Sequence, residues 1–175
     1  WLLDRGELEA ACNEAQANLY IAMTCDTADE AKSKAYERYI EEVAPKLKPV
    51  GFELDKRQTQ LFDRLRPSPE RYAVLDRDTR VEVELFRAEN VPLQTELAKL
   101  GQKFETISGA MTVTFDGREQ TLPQMARYQE MTDRAVREGA WRVVAERRRQ
   151  DRAALDAIYD EMVALRDRVA RNAGY

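Results

Sequence analysis

Residues 107–131 read ISGAMTVTFDGREQTLPQMARYQEM, and the period of the chain changes twice within them. Val113 and Phe115 alternate with Thr112 and Thr114, the spacing of a half-buried strand rich in β-branched and aromatic residues. Asp116-Gly117 is a favoured two-residue hairpin turn, because glycine accepts positive φ without a steric penalty. Thr121-Leu122-Pro123-Gln124 then has the form of a capping box: the Thr oxygen accepts from a backbone N–H while Gln reaches back to the amide of the Thr. These residues predict one small hairpin near 111–120, followed by a short helix. Helical spacing dominates everywhere else. The chain is therefore expected to be mainly α, a bundle or array of about six to seven helices carrying that single hairpin.

Upstream of the hairpin, Leu93, Leu97, Leu100, Phe104 and Ile107 step by three or four residues, a clean apolar stripe on a helix opened by Asn90-Val91-Pro92. Ser68-Pro69-Glu70 supplies an N-cap, a first-turn proline and a first-turn acid. The helix it opens carries Tyr72, Leu75, Thr79, Val83 and Phe86. A helix over about 52–65 carries Leu54, Leu61 and Leu65. It is expected to be separate from the one before it, because Pro45 and Pro49 predict a kink or an early end and Gly51 a stop. That earlier helix carries Tyr36, Ile40, Val43, Leu47 and Val50, and Thr27-Ala28-Asp29-Glu30 reads as its capping box. The first helix has Leu8, Cys12, Ala15, Leu19 and Ala22 on one face. Downstream, Asp133 is expected to cap one long last helix running to about residue 172, with Leu155, Ile158, Tyr159, Met162 and Val169 on one face and Gly174 as the stop. Tyr36, Phe86, Phe104 and Trp141 stand among aliphatic neighbours at helical spacing and are expected in the core. The whole of 1–175 reads as a single helical domain or a fragment of a larger protein, with a division into a helical array (1–107) and a hairpin plus long helix (108–175) as the alternative.

With 43% hydrophobic and 34% charged residues in 175, the composition is that of a soluble chain rich in exposed helix. The formal net charge of -4 argues against a nucleic-acid partner, which would need a basic face. No apolar run approaches the roughly 20 residues that span a bilayer, so no membrane partner is expected. Cys12 and Cys25, if joined by helix, lie about 20 Å apart, too far for a disulfide, which needs Cα atoms within about 7 Å. Separate reduced thiols suit a cytoplasmic setting. No signal peptide is read in the sequence. The chain begins at Trp1 with residues that already look helical, which reads as a piece of a longer polypeptide or a processed one.

The chain contains no histidine, which removes the His-Glu-x-x-His zinc motif and the usual general base. Two separated cysteines make no zinc cluster, and no acidic calcium loop is present. Asp76 and Asp78 stand two apart and cannot face each other on a helix. Glu41, Glu42 and Glu53, and the pair Glu82 and Glu84, lie opposite an apolar stripe or beside a cation, so they read as solvated surface. The run 146–152, ERRRQDR, is the one basic cluster. Acids at both ends make it an ion-paired helix face rather than a phosphate grip. Neither thiol has a histidine to activate it. The hairpin must pack on helices, and an open edge could accept an extended peptide by strand addition, although a covered edge that only joins helices is the preferred reading. No catalytic and no metal-ligating residue is assigned, and the substrate-binding residues are unknown.

Four stretches together carry a resemblance: LYIAMTCDT (19–27), ELFRAENVPL (84–93), GAMTVTFDG (109–117) with TLPQ (121–124), and DRAVREGAWR (133–142). In this order and spacing the chain resembles the N-terminal helical region of the oligoendopeptidase F-type zinc metallopeptidases, relatives of thimet oligopeptidase. The resemblance spans nearly the whole chain. It implies a largely helical enzyme that cleaves short peptides in a deep channel. One zinc would be held by the two histidines of His-Glu-x-x-His and a downstream glutamate, with the motif's own glutamate activating the water. None of those residues is present here. The resemblance therefore implies zinc bound outside this chain, a C-terminal catalytic domain of the same polypeptide as its partner, and a wall or lid of the channel as its role; alone it should be inactive. The alternative function is a free-standing helical interaction or regulatory module without enzymatic activity.

Overall fold

The structure, a computed structural model, describes residues 1–175. Eight α-helices and one hairpin follow one another: α1 (Leu2–Cys25), α2 (Glu30–Arg38), α3 (Ala44–Leu65), α4 (Pro69–Leu85), α5 (Asn90–Gly109), β1 (Thr112–Phe115), β2 (Arg118–Thr121), α6 (Leu122–Gln129), α7 (Arg134–Gln150) and α8 (Arg152–Ala173). A π-helical turn, Tyr39–Val43, joins α2 to α3 without a break, so the helices form seven rods. No helix is long and apolar enough to cross a membrane.

Local signals fixed most of the boundaries. Asp116 and Gly117 both have positive φ, 54° and 71°, and Phe115 pairs with Arg118 across them, the geometry of a type I′ turn. Thr121 and Gln124 bond reciprocally as a capping box, at 2.8 Å and 3.3 Å. The Asp133 carboxylate accepts from the Ala135 amide at 2.8 Å. Gly174 at φ 97° closes α8 with a Schellman pair, Tyr175 N–H to the Ala170 carbonyl and Gly174 N–H to that of Arg171.

Three boundaries differ from the sequence reading. The expected break near Gly51 is absent. Pro45 and Pro49 deprive the carbonyls of Glu41 and Pro45 of their usual donors, but the chain absorbs this by widening. The Ala44 amide reaches back five residues to the Tyr39 carbonyl, a π bulge placed just ahead of Pro45, and Gly51 keeps a negative φ within the helix. The cap of α2 is Asp29 rather than Thr27: its carboxylate accepts from the amides of Ala31 at 2.9 Å and Lys32 at 3.2 Å. The Lys32 amide is the main reason that carboxylate sits below its ordinary pKa. The long last helix is two helices, because the chain turns at Asp151, whose carbonyl accepts from Leu155 to start α8 and whose carboxylate pairs with Arg147.

The chain forms two compact units, each assembled from separated stretches. The first comprises 1–33 and 100–161. Its core is Val113, Met125, Tyr128, Ala140 and Val144, with Phe115, Leu122, Val136 and Val143 packed against it. Phe115 meets Tyr128 edge-on at 4.9 Å, and its ring lies beside Gly139 of α7. Gln120, opposite Val113 in the hairpin, is buried but satisfied: it donates to the Tyr128 hydroxyl at 3.4 Å and accepts from Arg127 at 3.2 Å.

The second unit comprises 34–99 and 162–175. Tyr36, Tyr39, Ile40, Phe62, Leu93 and Leu165 are its buried apolar residues. α3 and α4 pack as a pair, turned by Arg66 in the left-handed region at φ 46°. A buried bond from the Gln58 amide to the Thr79 hydroxyl, 2.8 Å, links them, and Phe62 meets Tyr72 edge-on at 5.9 Å. Of the four aromatics expected in the core, Tyr36 is buried and Phe86 half-buried, whereas Phe104 and Trp141 are 45% and 60% exposed. Helical periodicity identifies the apolar side of a helix but not what covers it.

Candidate functional site

A cleft of about 550 Å³ lies inside the second unit, walled by α3, α4, the start of α5 and the end of α8. Three of the helices contribute residues at helical spacing: Lys48, Phe52 and Asp55 from α3, Glu82 and Leu85 from α4 with Phe86 just past its end, and Arg166, Val169 and Ala173 from α8. Phe52 and Phe86 stack face to face across the wall, centroids 4.2 Å apart and planes 14° apart.

Buried amides fix the frame. Asn90, at the start of α5, is nearly fully buried. Its amide donates to the Val169 carbonyl at 3.1 Å, and its oxygen accepts from Asn172 at 2.7 Å. Arg87 donates to the carbonyls of Glu84, Phe86 and Ala173, a cation set against the C-terminal end of α8 where the helix dipole favours it. Lys48 is half withdrawn from water and donates to the Gln94 side-chain oxygen. Burial lowers its pKa.

The side chains weighed from sequence do not converge on this cleft, Glu82 excepted. Glu41 pairs with Lys99 at 2.8 Å, Glu42 with Arg38 at 3.1 Å and Glu53 with Lys56 at 3.0 Å. Asp76 pairs with Arg80 and Asp78 with Arg77. In the basic run, Arg147, Arg149 and Arg152 each meet an acid three or four residues away. Cys12 and Cys25 form no disulfide. No three Asp, Glu or Cys side chains come together. Beside the hairpin, α7 leaves a shallow groove along β1 of about 350 Å³, lined by Thr112, Thr114, Val143, Arg147 and Gln150. The cleft is not legible in the sequence, because by local rules Pro45, Pro49 and Gly51 argue for a helix end there. A continuous helix would have placed Lys48, Phe52 and Asp55 on one face.

A crystal structure assigned as an oligoendopeptidase F, from Bacillus anthracis strain Ames, superposes on this chain with a TM-score of 0.72. The fold is shared with part of that protein. The likeness covers 90% of this chain and 29% of the other, at 22% sequence identity. The chain thus spans less than a third of the length of that structure. No protein-family model matches the sequence, and no curated protein does either.

Proposed function

We propose that this chain is the N-terminal, non-catalytic portion of a cytoplasmic zinc-dependent oligoendopeptidase, and that it forms part of the wall of a channel in which short peptides are hydrolysed. The observation that carries the reading is the fold likeness over 90% of this chain against 29% of an oligoendopeptidase F, the family that the sequence resembles.

The surface supports it. Leu3, Leu65, Trp141 and Tyr159 are each at least 60% exposed, as expected of faces that a further part of the polypeptide covers. The chain itself offers nothing that fits zinc: it has no histidine, and no carboxylates or thiols converge in threes. The metal and the water it activates belong to the C-terminal catalytic part, the expected partner.

The test begins with the coding sequence beyond Tyr175. Several hundred further codons containing His-Glu-x-x-His are expected. The full polypeptide should then cleave an internally quenched peptide in a chelator-sensitive way, while residues 1–175 alone should not. A stop codon shortly after Tyr175, or metal-dependent cleavage by residues 1–175 alone, would overturn the proposal.

A further inference from the structure

The cleft of the second unit holds a cation that its surroundings do not neutralise. Lys48 carries three donors. The one partner of its ammonium in the structure is the neutral oxygen of Gln94. Withdrawing an ammonium from water is unfavourable unless a counter-charge or further acceptors replace the lost hydration. Two carboxylates line the cleft, Asp55 and Glu82, but neither forms an ion pair with Lys48, whose ammonium donates to Gln94. Asp55 already has a partner of its own. Arg87 is held by three backbone carbonyls. Arg166 lines the same cleft from α8 and makes no ion pair there. The lining carries three cations against two acids. Beside them lie the stacked rings of Phe52 and Phe86 and an apolar floor of Val169, Ala170 and Ala173.

We propose that this cleft binds a small carboxylate with an aromatic or branched apolar body, its carboxylate on Lys48 and Arg166 and its body against Phe52 and Phe86. A carboxylate supplies what Lys48 lacks, a charged acceptor at a desolvated donor, and such charge-assisted bonds are the stronger kind. The apolar wall adds burial of the ligand body. The volume of about 550 Å³ lies within the range of about 300–1,000 Å³ usual for small-molecule sites. A free aromatic acid and the C-terminal end of a short peptide share this chemistry. The inference does not depend on the peptidase reading, which the downstream coding sequence decides.

The experiment is calorimetric titration of N-acetyl-phenylalanine into the full polypeptide, with N-acetyl-phenylalaninamide as its uncharged twin. Saturable binding with a Kd near or below about 1 mM is expected, a value in keeping with the binding energy per atom of small ligands. The amide should bind at least about tenfold more weakly, the cost of one lost charge-assisted bond. Lys48→Met, which keeps the apolar stem, should weaken the acid by at least about tenfold and leave the amide unchanged. Arg166→Gln, at an exposed position that takes part in no ion pair, should weaken the acid severalfold without altering the melting temperature. A tripeptide ending in phenylalanine that binds more tightly than the acetylated residue would identify a peptide terminus as the ligand; equal binding would identify a free acid. Equal affinity for acid and amide, acid binding untouched by both substitutions, or no saturable binding below about 10 mM would each overturn the proposal.

Discussion

A methyl group on Gly109 would lie 2.7 Å from the Thr27 hydroxyl oxygen and 2.9 Å from its methyl carbon. Thr27 is β-branched and stiff at χ1, so it cannot swing aside cheaply. Gly109→Ala is expected to destabilise the fold by about 1–3 kcal/mol, the usual cost of overpacking, read as a lower urea midpoint. Adding Thr27→Ala should return part of the loss, and strict additivity of the two changes would sink the contact argument. Lys48 gives a second residue-level expectation. Its folded pKa lies below the ordinary 10.5, so the unfolded chain holds the proton more firmly. The burial penalty is fully present at neutral pH and fades as pH rises through the lowered value toward 10.5. The stability of Lys48→Met relative to wild type should accordingly be greatest near neutral pH and shrink toward pH 10.5; a flat difference across that window would show that Lys48 is well hydrated. Thr27 also illustrates what a sequence withholds. It and Asp29 are both sound caps for α2. Asp29 takes the role because it directly precedes Glu30 and its carboxylate reaches the amides of Ala31 and Lys32, while Thr27 lies beside Gly109, a neighbour 82 positions away that no local pattern reveals.

Among elements, the hairpin and the caps of α6 and α7 were legible because their partners lie within a few residues. Thr121→Ala should cost about 1 kcal/mol by opening the capping box of α6, measurable by denaturant midpoint. The Gln58–Thr79 bond is of another kind. Its partners sit on α3 and α4, 21 residues apart and buried, and Thr79 also back-bonds to the Leu75 carbonyl at 2.8 Å. Thr79→Val keeps the shape but removes the acceptor, so it should cost about 1–3 kcal/mol; a neutral result would mean that the Gln58 amide finds another acceptor. The continuity from α2 into α3 was not legible. Prolines at 45 and 49 argue for a break by local rules, and only the π turn at Tyr39–Val43 shows how the helix survives them. That continuity in turn places Lys48 and Phe52 on the wall of the cleft.

For the molecule as a whole, the exposed apolar residues carry the prediction. Trp141 is 60% exposed on α7, so Trp141→Ser should change the stability of residues 1–175 alone by no more than about 0.5 kcal/mol, as at most surface positions. In the full polypeptide proposed here the same substitution should lower the melting temperature and weaken the union with the catalytic part. Equal, negligible effects in both settings would leave Trp141 as ordinary surface and remove one support of the fragment reading. The sequence by itself determined the fold class, the place and turn of the hairpin, most helix termini and the want of a histidine-based centre, because each depends on spacing, caps and residue types within one or two turns. The resemblance carried by four short stretches also named the fold that the oligoendopeptidase F structure shares. The tertiary structure alone decided which apolar stripes are covered, that Asp29 caps α2, that the last helical run divides at Asp151, and that Lys48, Phe52, Phe86 and Arg166 line one cleft. Those outcomes depend on groups far apart in sequence, whose meeting is set by packing and by the desolvation of charge rather than by any local rule.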